Sequence, residues 1–111
     1  MTEIRISPLA MEDLRQIRQY ITVEFSNEAA AVKTVTKIMD GIRMLATFPD
    51  SGAPLSGVVG FDTDYRYVIC GRYAVFYRHD GGAVFVDRVL YGRRDFMRIL
   101  FDWPESGEEP T

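Results

Sequence analysis

Two helical patterns separated by a two-residue break constrain the fold of this chain more than any other feature. In the first pattern, apolar residues recur at spacings of three and four: Met11, Leu14, Ile17 and Ile21. The second pattern repeats this spacing with Ala29, Val32, Val35, Met39, Ile42 and Leu45. Ser7-Pro8 and Ser26-Asn27 have the chemistry of helix starts, and Phe25 and Phe48-Pro49 are the expected ends. Because the break is so short, the two helices are expected to pack antiparallel as a hairpin.

Strand patterns dominate the second half of the chain. Residues 65–69, 73–78 and 83–91 are rich in aromatic and β-branched side chains. Gly71-Arg72 separates the first two segments, and Asp80-Gly81-Gly82 separates the last two. Turns this short join antiparallel neighbours, so the three strands are expected to form a meander.

The remaining segments complete an α+β domain. The alternation of residues 3–7 predicts a first strand, residues 49–64 have loop composition, and Phe96, Ile99 and Leu100 allow a short closing helix. The predicted order is therefore β-α-α-β-β-β, with the helical hairpin packed on an antiparallel sheet in two layers. The other face of the sheet is expected to be exposed and to carry part of the arginines and tyrosines.

The 111 residues correspond to one domain, which we place at residues 1–101, followed by an acidic frayed tail at residues 102–111. The tail holds four of the 16 acidic residues, whereas all 13 Lys and Arg precede it. Residues 66–98 hold seven arginines against three aspartates. The second half therefore carries a positive field, although the net charge of the chain is −3.

The cysteine content and the hydropathy of the chain indicate its compartment. Cys70 is the single cysteine, so no internal disulfide can form, which fits a reducing cytoplasm but also a cysteine-poor secreted protein. Residues 1–5 are polar with no apolar run behind them, which does not fit a signal peptide. No stretch approaches the roughly 18 apolar residues of a membrane span. A cytoplasmic protein without a membrane partner is expected.

Residue types that carry catalysis or bind cofactors are sparse. His79 is the one histidine and lies beside a turn, where a solvated surface role is expected. His79 and Cys70 cannot form a zinc site without carboxylates, and no dinucleotide or Walker phosphate loop is present, so neither a metal nor a cofactor is expected. The arginines and strand tyrosines suit phosphate and base contacts, or else a half-buried sheet surface with intramolecular Arg–Asp pairs.

Four motifs occur in order along the chain: Phe48-Pro49-Asp50-Ser51-Gly52, Asp64-Tyr65-Arg66, Tyr73-Ala74-Val75-Phe76-Tyr77-Arg78 and Val86-Asp87-Arg88-Val89-Leu90-Tyr91-Gly92-Arg93-Arg94-Asp95. With the preceding strand and helix pair, they resemble the RelE/ParE toxin superfamily over about residues 3–101. The resemblance implies a RelE/ParE-like fold and the toxin component of a type II toxin–antitoxin system. It also implies a small cognate antitoxin that is partly disordered until it wraps the toxin. A homodimer and a toxin–antitoxin hetero-oligomer both remain open.

Two mechanisms compete within the superfamily. RelE-like members cut mRNA in the ribosome, whereas ParE-like members inhibit DNA gyrase by binding. When the functional residues of RelE-like members are carried over one by one, their positive charges are kept at Arg66 and Arg94 and lost at Val68 and Ala74. The position of their C-terminal tyrosine falls near Leu100. A pI of about 5.1 also suits docking to ribosomal phosphate poorly. The resemblance therefore favours a ParE-like gyrase inhibitor that is not an enzyme.

The two mechanisms place different demands on the residues. For growth inhibition through gyrase, no residue is catalytic, and contacts to the target or the antitoxin are assigned to Arg66, Arg78, Arg88, Arg93 and Arg94. The alternative is a RelE-like ribosome-dependent mRNA endonuclease, with catalytic candidates at Arg66, Arg94 and Tyr91, or His79 in place of the tyrosine.

Overall fold

The computed structural model describes residues 1–92 and 96–101, apart from the side chains of Met97 and Arg98. Its elements in chain order are β1 (Glu3–Ile6), α1 (Pro8–Glu24), α2 (Glu28–Thr47), β2 (Ala53–Pro54), α3 (Ser56–Val59), β3 (Arg66–Cys70), β4 (Tyr73–Asp80), β5 (Ala83–Tyr91) and α4 (Phe96–Phe101). The predicted α+β order and the closing helix are confirmed, and β2 and α3 are short additions within the predicted loop. The tail, residues 102–111, lies outside the described residues, so the domain boundary stays a prediction.

The five strands form one sheet in the order β1-β5-β4-β3-β2. Strands β3, β4 and β5 form the predicted antiparallel meander. Strand β1, in contrast, pairs parallel with β5, with Glu3 opposite Ala83. The sheet is therefore mixed. Helix α1 continues in the direction of β1, and α2 returns the chain to the end where β1 began, so the first and third strands of the meander run in the same direction as β1. The backbone N–H of Thr2 marks this return by donating to Ala46 O at 2.9 Å.

Local chemistry sets the helix ends where the sequence predicts them. The Ser7 hydroxyl accepts a hydrogen bond from the N–H of Ala10, and Pro8 begins α1 where its missing N–H is not needed. Asn27 caps α2 in the same way, through the N–H three residues on. Between the helices, Ser26 has a φ of 48°, a left-handed conformation that reverses the chain within the short break.

The main core lies between the hairpin and one face of the sheet. The buried apolar residues of the two helices are Ala10, Leu14, Ile17, Ile21, Ala31, Ile38, Ile42 and Leu45. They pack on strand residues Tyr73, Val75, Tyr77, Val84, Val86 and Val89. The predicted stripes are wrong at Met11 and Val32, which are 53% and 46% exposed, and at Ala29. Because each helix packs on both its partner helix and the sheet, the buried stripe is rotated, and Ala10 and Ala31 are buried instead.

The opposite face of the sheet carries a second, smaller core. Phe76 and Ala74 are almost fully buried there, together with Leu55 before α3 and Phe96 of α4. The rings of Phe76 and Phe96 stack with centroids 5.5 Å apart. The expectation that this face is exposed is therefore wrong at its centre. The covering segments are too short to show a periodic pattern, so the sequence does not reveal that they dock on the sheet.

The outer edge of β5 changes partners along its length. Strand β1 pairs with residues 83–86, and beyond them the β5 backbone hydrogen-bonds to side chains of α1 and its N-cap. The Ser7 hydroxyl donates to Asp87 O at 2.8 Å, and the N–H of Val89 donates to the Asp13 carboxylate at 3.0 Å. A shift in the pairing with β4 leaves Asp87 as an extra residue, a β-bulge. Helix α1 thus satisfies the β5 backbone where no strand does, which fixes the helix against the sheet.

Replacing Tyr77 with phenylalanine is expected to lower the free energy of unfolding by roughly 1–3 kcal/mol. The buried Tyr77 hydroxyl donates to Pro49 O at 2.8 Å and accepts from the N–H of Gly52 at 2.9 Å, so its removal leaves two backbone groups without a partner. Urea denaturation followed by circular dichroism measures the change. Tyr67→Phe is the control, because the structure shows no hydrogen bond of that hydroxyl within the described residues. Equal stability of the two variants would contradict the role of Tyr77.

Candidate functional site

Of the arginines assigned to partner contacts, the three that the structure describes are each engaged within the fold. Arg66 lies beside the segment that follows α2, where its guanidinium donates to Gly52 O at 2.8 Å and to Asp50 O at 3.3 Å. The Arg66 side chain is 32% exposed, so it holds this loop while keeping one side in solvent. Arg93 and Arg94 lie outside the described residues.

Arg78 and Arg88 each pair with an aspartate. The Nε of Arg78 lies 3.0 Å from Asp87 Oδ2, and its guanidinium lies 6.0 Å from the centroid of the Tyr65 ring. Arg88 makes a two-point contact with Asp13, at 2.8 Å for each hydrogen bond, and this contact raises the pKa of Arg88. For these two arginines, intramolecular pairing is therefore the arrangement that the structure shows.

The candidates for RNA cleavage are placed far apart. Arg66 lies opposite Tyr77 in the sheet, and Tyr91 lies opposite Tyr73. Four residues of β4, about 13 Å of strand, separate these two positions. Arg66 and Tyr91 therefore do not face one common phosphate, and Arg94 lies outside the described residues.

The positions where the functional side chains of RelE-like members are absent are occupied by packed apolar residues. Val68 packs against the main core, Ala74 is fully buried, and Leu100 packs in the second core. A charged side chain at Ala74 would lose its water without a partner. The fold thus uses these positions for stability.

His79 is paired rather than simply solvated. Its Nδ1 lies 2.9 Å from Asp50 Oδ1, and the side chain is 24% exposed. The hydrogen bond to His79 and, more weakly, the charge of Arg66 hold the pKa of Asp50 below its ordinary value. The contact is an ion pair when the His79 ring is protonated, and a hydrogen bond otherwise. Asp50 and His79 therefore fasten the loop after α2 to the end of β4.

Replacing His79 with alanine is expected to raise the pKa of Asp50 toward its ordinary value of 3.8. The ionised carboxylate contributes stability that is complete above the ordinary pKa and is lost as pH falls through the lowered one. In the variant the two pKa values nearly coincide, so most of this contribution is absent at every pH, and stability should fall less steeply than in the parent as pH drops through this range. An NMR titration of the Asp50 carboxyl carbon measures the shift, with the remote Arg43→Ala variant as control. An unchanged Asp50 pKa would show that the contact does not form in solution.

A groove of about 950 Å³ lies at the opposite end of the sheet from this loop. It is bounded by the end of α1, the first half of α2, the turn between β3 and β4, and the end of β5. Tyr20, Phe25 and Tyr91 line it and are 56%, 65% and 54% exposed. Aromatic side chains left exposed together mark an interaction surface more often than an ordinary protein surface.

The groove is also basic. Lys33, Lys37 and Arg72 line it and are exposed. None of the three has an ion pair with any residue that the structure describes. Arg88 and Asp13, the other charged residues of the lining, neutralise each other. The three exposed cations therefore give the groove a positive field toward solvent.

The floor of the groove holds neutral groups. Tyr73 is buried beneath Tyr91, with ring centroids 5.6 Å apart in edge-on packing. Burial, followed by the neighbouring Tyr91 and Tyr20, raises the pKa of Tyr73. Burial also raises the pKa of the Cys70 thiol, which disfavours the reactive thiolate. At neutral pH these groups suit binding better than acid–base or nucleophilic chemistry.

Sequence reasoning found only part of this groove. Arg88 and Tyr91 are among the predicted site residues, whereas Lys33, Lys37 and Arg72 are not. The one available signal is the spacing of Lys33 and Lys37, because residues four apart share a helix face. Arg72 joins them only through the fold, since its turn lies beside Lys37 of α2.

The groove has no feature of a metal centre. Among the residues that the structure describes, no three His, Cys, Asp or Glu side chains group together in a way that could hold a metal ion. Over the same residues, no helix combines the length and the apolar character that a membrane crossing requires.

Comparisons with known proteins agree with this fold. The family model described as "ParE toxin of type II toxin-antitoxin system, parDE" matches residues 4–96. A solved chain described as "Chromosomal ParDE TA system from P. aeruginosa" has a similar structure, with a TM-score of 0.71 and 19% sequence identity over 84% of this chain and 98% of that chain. No protein with a curated description matches at a significant level. Because the family match covers well over half of the sequence, the chain belongs to the ParE toxin family of type II toxin–antitoxin systems.

Proposed function

We propose that this ParE-family chain inhibits DNA gyrase by binding it through the groove, and that a cognate antitoxin neutralises it by covering the same surface. The observation that carries the proposal is the combination of exposed aromatic rings, Tyr20, Phe25 and Tyr91, with exposed cations. Aromatic side chains and arginine are the residue types that dominate affinity at protein interfaces. A surface with this composition is suited to a protein target.

The two kinds of side chain have different parts in binding. The rings supply apolar area that a partner desolvates, and the cations at Lys33 and Lys37 speed and orient the encounter with an acidic partner. Arg88 offers a fixed edge of the groove, because Asp13 holds its guanidinium in place. Arg93 and Arg94 follow β5 in the sequence and remain proposed contacts. Arg66 and Arg78 are proposed as weaker contacts, since each is engaged within the fold.

Cleavage of mRNA in the RelE manner has less support. That reaction needs a base for the 2′-hydroxyl, an acid for the leaving oxygen and a cation at the phosphate, all within reach of one another. The register places Arg66 and Tyr91 about 13 Å apart along β4. Val68 and Ala74, which stand at positions where RelE-like members have charged residues, are apolar and packed. We therefore assign no catalytic residue.

The antitoxin part of the proposal is supported by the family and by the fold relative, which is described as a ParDE system. An antitoxin segment that fills the groove is expected to carry acidic side chains against Lys33 and Lys37, and bulky apolar ones against the exposed rings. The proposed resting assembly is then a toxin–antitoxin hetero-oligomer.

Induced expression in bacterial cells tests the target. Growth is expected to stop, plasmid DNA is expected to lose negative supercoiling on chloroquine gels, and primer extension on translated messages is expected to show no new 5′ ends. Coexpression of the antitoxin should restore growth and supercoiling. New 5′ ends together with normal supercoiling would reject gyrase in favour of mRNA cleavage. Normal growth at good expression would reject both targets.

A further inference from the structure

The groove and the segment that follows α4 have opposite charge. Three of the cations in the groove, Lys33, Lys37 and Arg72, have no ion pair within the part of the chain that the structure describes. Residues 102–111 contain no lysine or arginine, and their acidic residues are Asp102, Glu105, Glu108 and Glu109. Opposite charges on two parts of one chain attract when the linker lets them meet.

The apolar content of the two parts also matches. The groove exposes the rings of Tyr20, Phe25 and Tyr91. The segment carries Trp103, the single tryptophan of the chain, directly after its first acid. A tryptophan buries more apolar area than any other side chain and packs well on aromatic rings. The segment thus combines acidic and aromatic chemistry opposite a groove that combines basic and aromatic chemistry.

The distance between the two parts is short. Ile99 of α4 lines the groove, and α4 ends at Phe101, two residues later. The ten following residues can span up to about 35 Å when extended. Because Ile99 itself lines the groove, at least the near part of the groove lies within their reach.

We propose that residues 102–111 bind in the groove of their own chain, with acidic side chains against Lys33, Lys37 and Arg72 and with Trp103 against the exposed aromatic rings. A segment tethered this closely has an effective concentration of about 1 mM, so even a weak contact with a Kd near 0.1 mM would fill the groove in roughly nine molecules of ten. If the proposed function holds, the segment competes with the antitoxin and with gyrase for the same surface, and its removal strengthens both interactions.

Fluorescence of Trp103 in the full chain, excited at 295 nm, tests the docking without gyrase or antitoxin. At low salt, the emission maximum is expected to be blue-shifted from that of a free peptide of residues 102–111, with acrylamide quenching weaker by roughly twofold or more. Added salt should reverse both effects, because it screens exposed charges. Emission and quenching equal to those of the free peptide would overturn the proposal.

Two charge-matched variants locate the docking site. Lys33→Gln/Lys37→Gln is expected to shift the emission to that of the free peptide. Arg5→Gln/Arg43→Gln removes the same charge from exposed positions outside the groove and should keep the emission of the parent chain. Circular dichroism checks that both variants are folded. A blue shift that both variants retain would place the tryptophan elsewhere, and one that disappears on dilution would show docking between chains; either result overturns the proposal.

Discussion

Replacing Asp13 with alanine is expected to lower the free energy of unfolding by roughly 3–5 kcal/mol, a large part of the 5–15 kcal/mol typical of a domain. The Asp13 carboxylate accepts two hydrogen bonds from Arg88 and one from the N–H of Val89. The side chains of Asp13 and Arg88 are only 10% and 22% exposed, so the variant leaves a partly buried cation and a backbone N–H without partners. Urea denaturation of both proteins measures the difference.

Asp40→Ala is the matched control for this prediction. Asp40 also lies on a helix and also pairs with an arginine, Arg43, but the two side chains are 64% and 66% exposed. An exposed pair of this kind contributes about 0–1 kcal/mol. If Asp13→Ala does not fold well enough to measure, Asp13→Asn keeps the volume and an acceptor oxygen and should lose less stability. Equal stability of Asp13→Ala and Asp40→Ala would contradict the role of Asp13 in fastening α1 to β5.

Replacing Phe76 with alanine is expected to lower the free energy of unfolding by roughly 3–5 kcal/mol. Phe76 is 1% exposed at the centre of the second core, where it stacks on Phe96. The deletion leaves a cavity beneath α4 and removes the ring on which Phe96 stacks. Amide hydrogen exchange in α4 should accelerate more than exchange in α1 or α2. Thermal or urea denaturation gives the free energy.

Ile69→Ala serves as the control on the same face of the sheet. Ile69 lies opposite the buried Ala74 in the register of β3 and β4, yet it is 56% exposed. Truncation of such a side chain is expected to change stability by about 0.5 kcal/mol or less. A small effect at Phe76, similar to that at Ile69, would mean that this face of the sheet is open in solution, as the sequence alone suggests.

Local signals predicted much of this fold, because helix caps and tight turns act within a few residues. Ser7, Asn27 and the Asp80-Gly81-Gly82 turn act this way, and the hairpin and the meander follow from them. The parallel pairing of β1 with β5 joins segments about 80 residues apart, and no local pattern reports it. The second core is formed by short segments around Leu55 and Phe96, whose apolar residues are too few for a periodic signal.

The candidate site was less predictable than the fold. The arginines stand out in the sequence, but Arg78 and Arg88 are held by aspartates that the sequence does not identify as partners: Asp87 follows nine residues later, and Asp13 lies 75 residues earlier. The groove joins residues of α1, α2, a turn, β5 and α4, so its basic and aromatic character emerges only when the chain is folded. Lys33 and Lys37 become candidate binding residues only because the fold places exposed aromatic rings in the same groove.

Supercoiling of relaxed plasmid by purified DNA gyrase, titrated with this purified chain, tests the central claim most directly. We expect supercoiling to be abolished by the parent chain and by Arg5→Glu/Arg43→Glu, whose changes lie outside the groove. Lys33→Glu/Lys37→Glu should need roughly tenfold more protein, the equivalent of about 1.4 kcal/mol of lost binding energy. Full supercoiling at a saturating concentration of the parent chain would contradict the account.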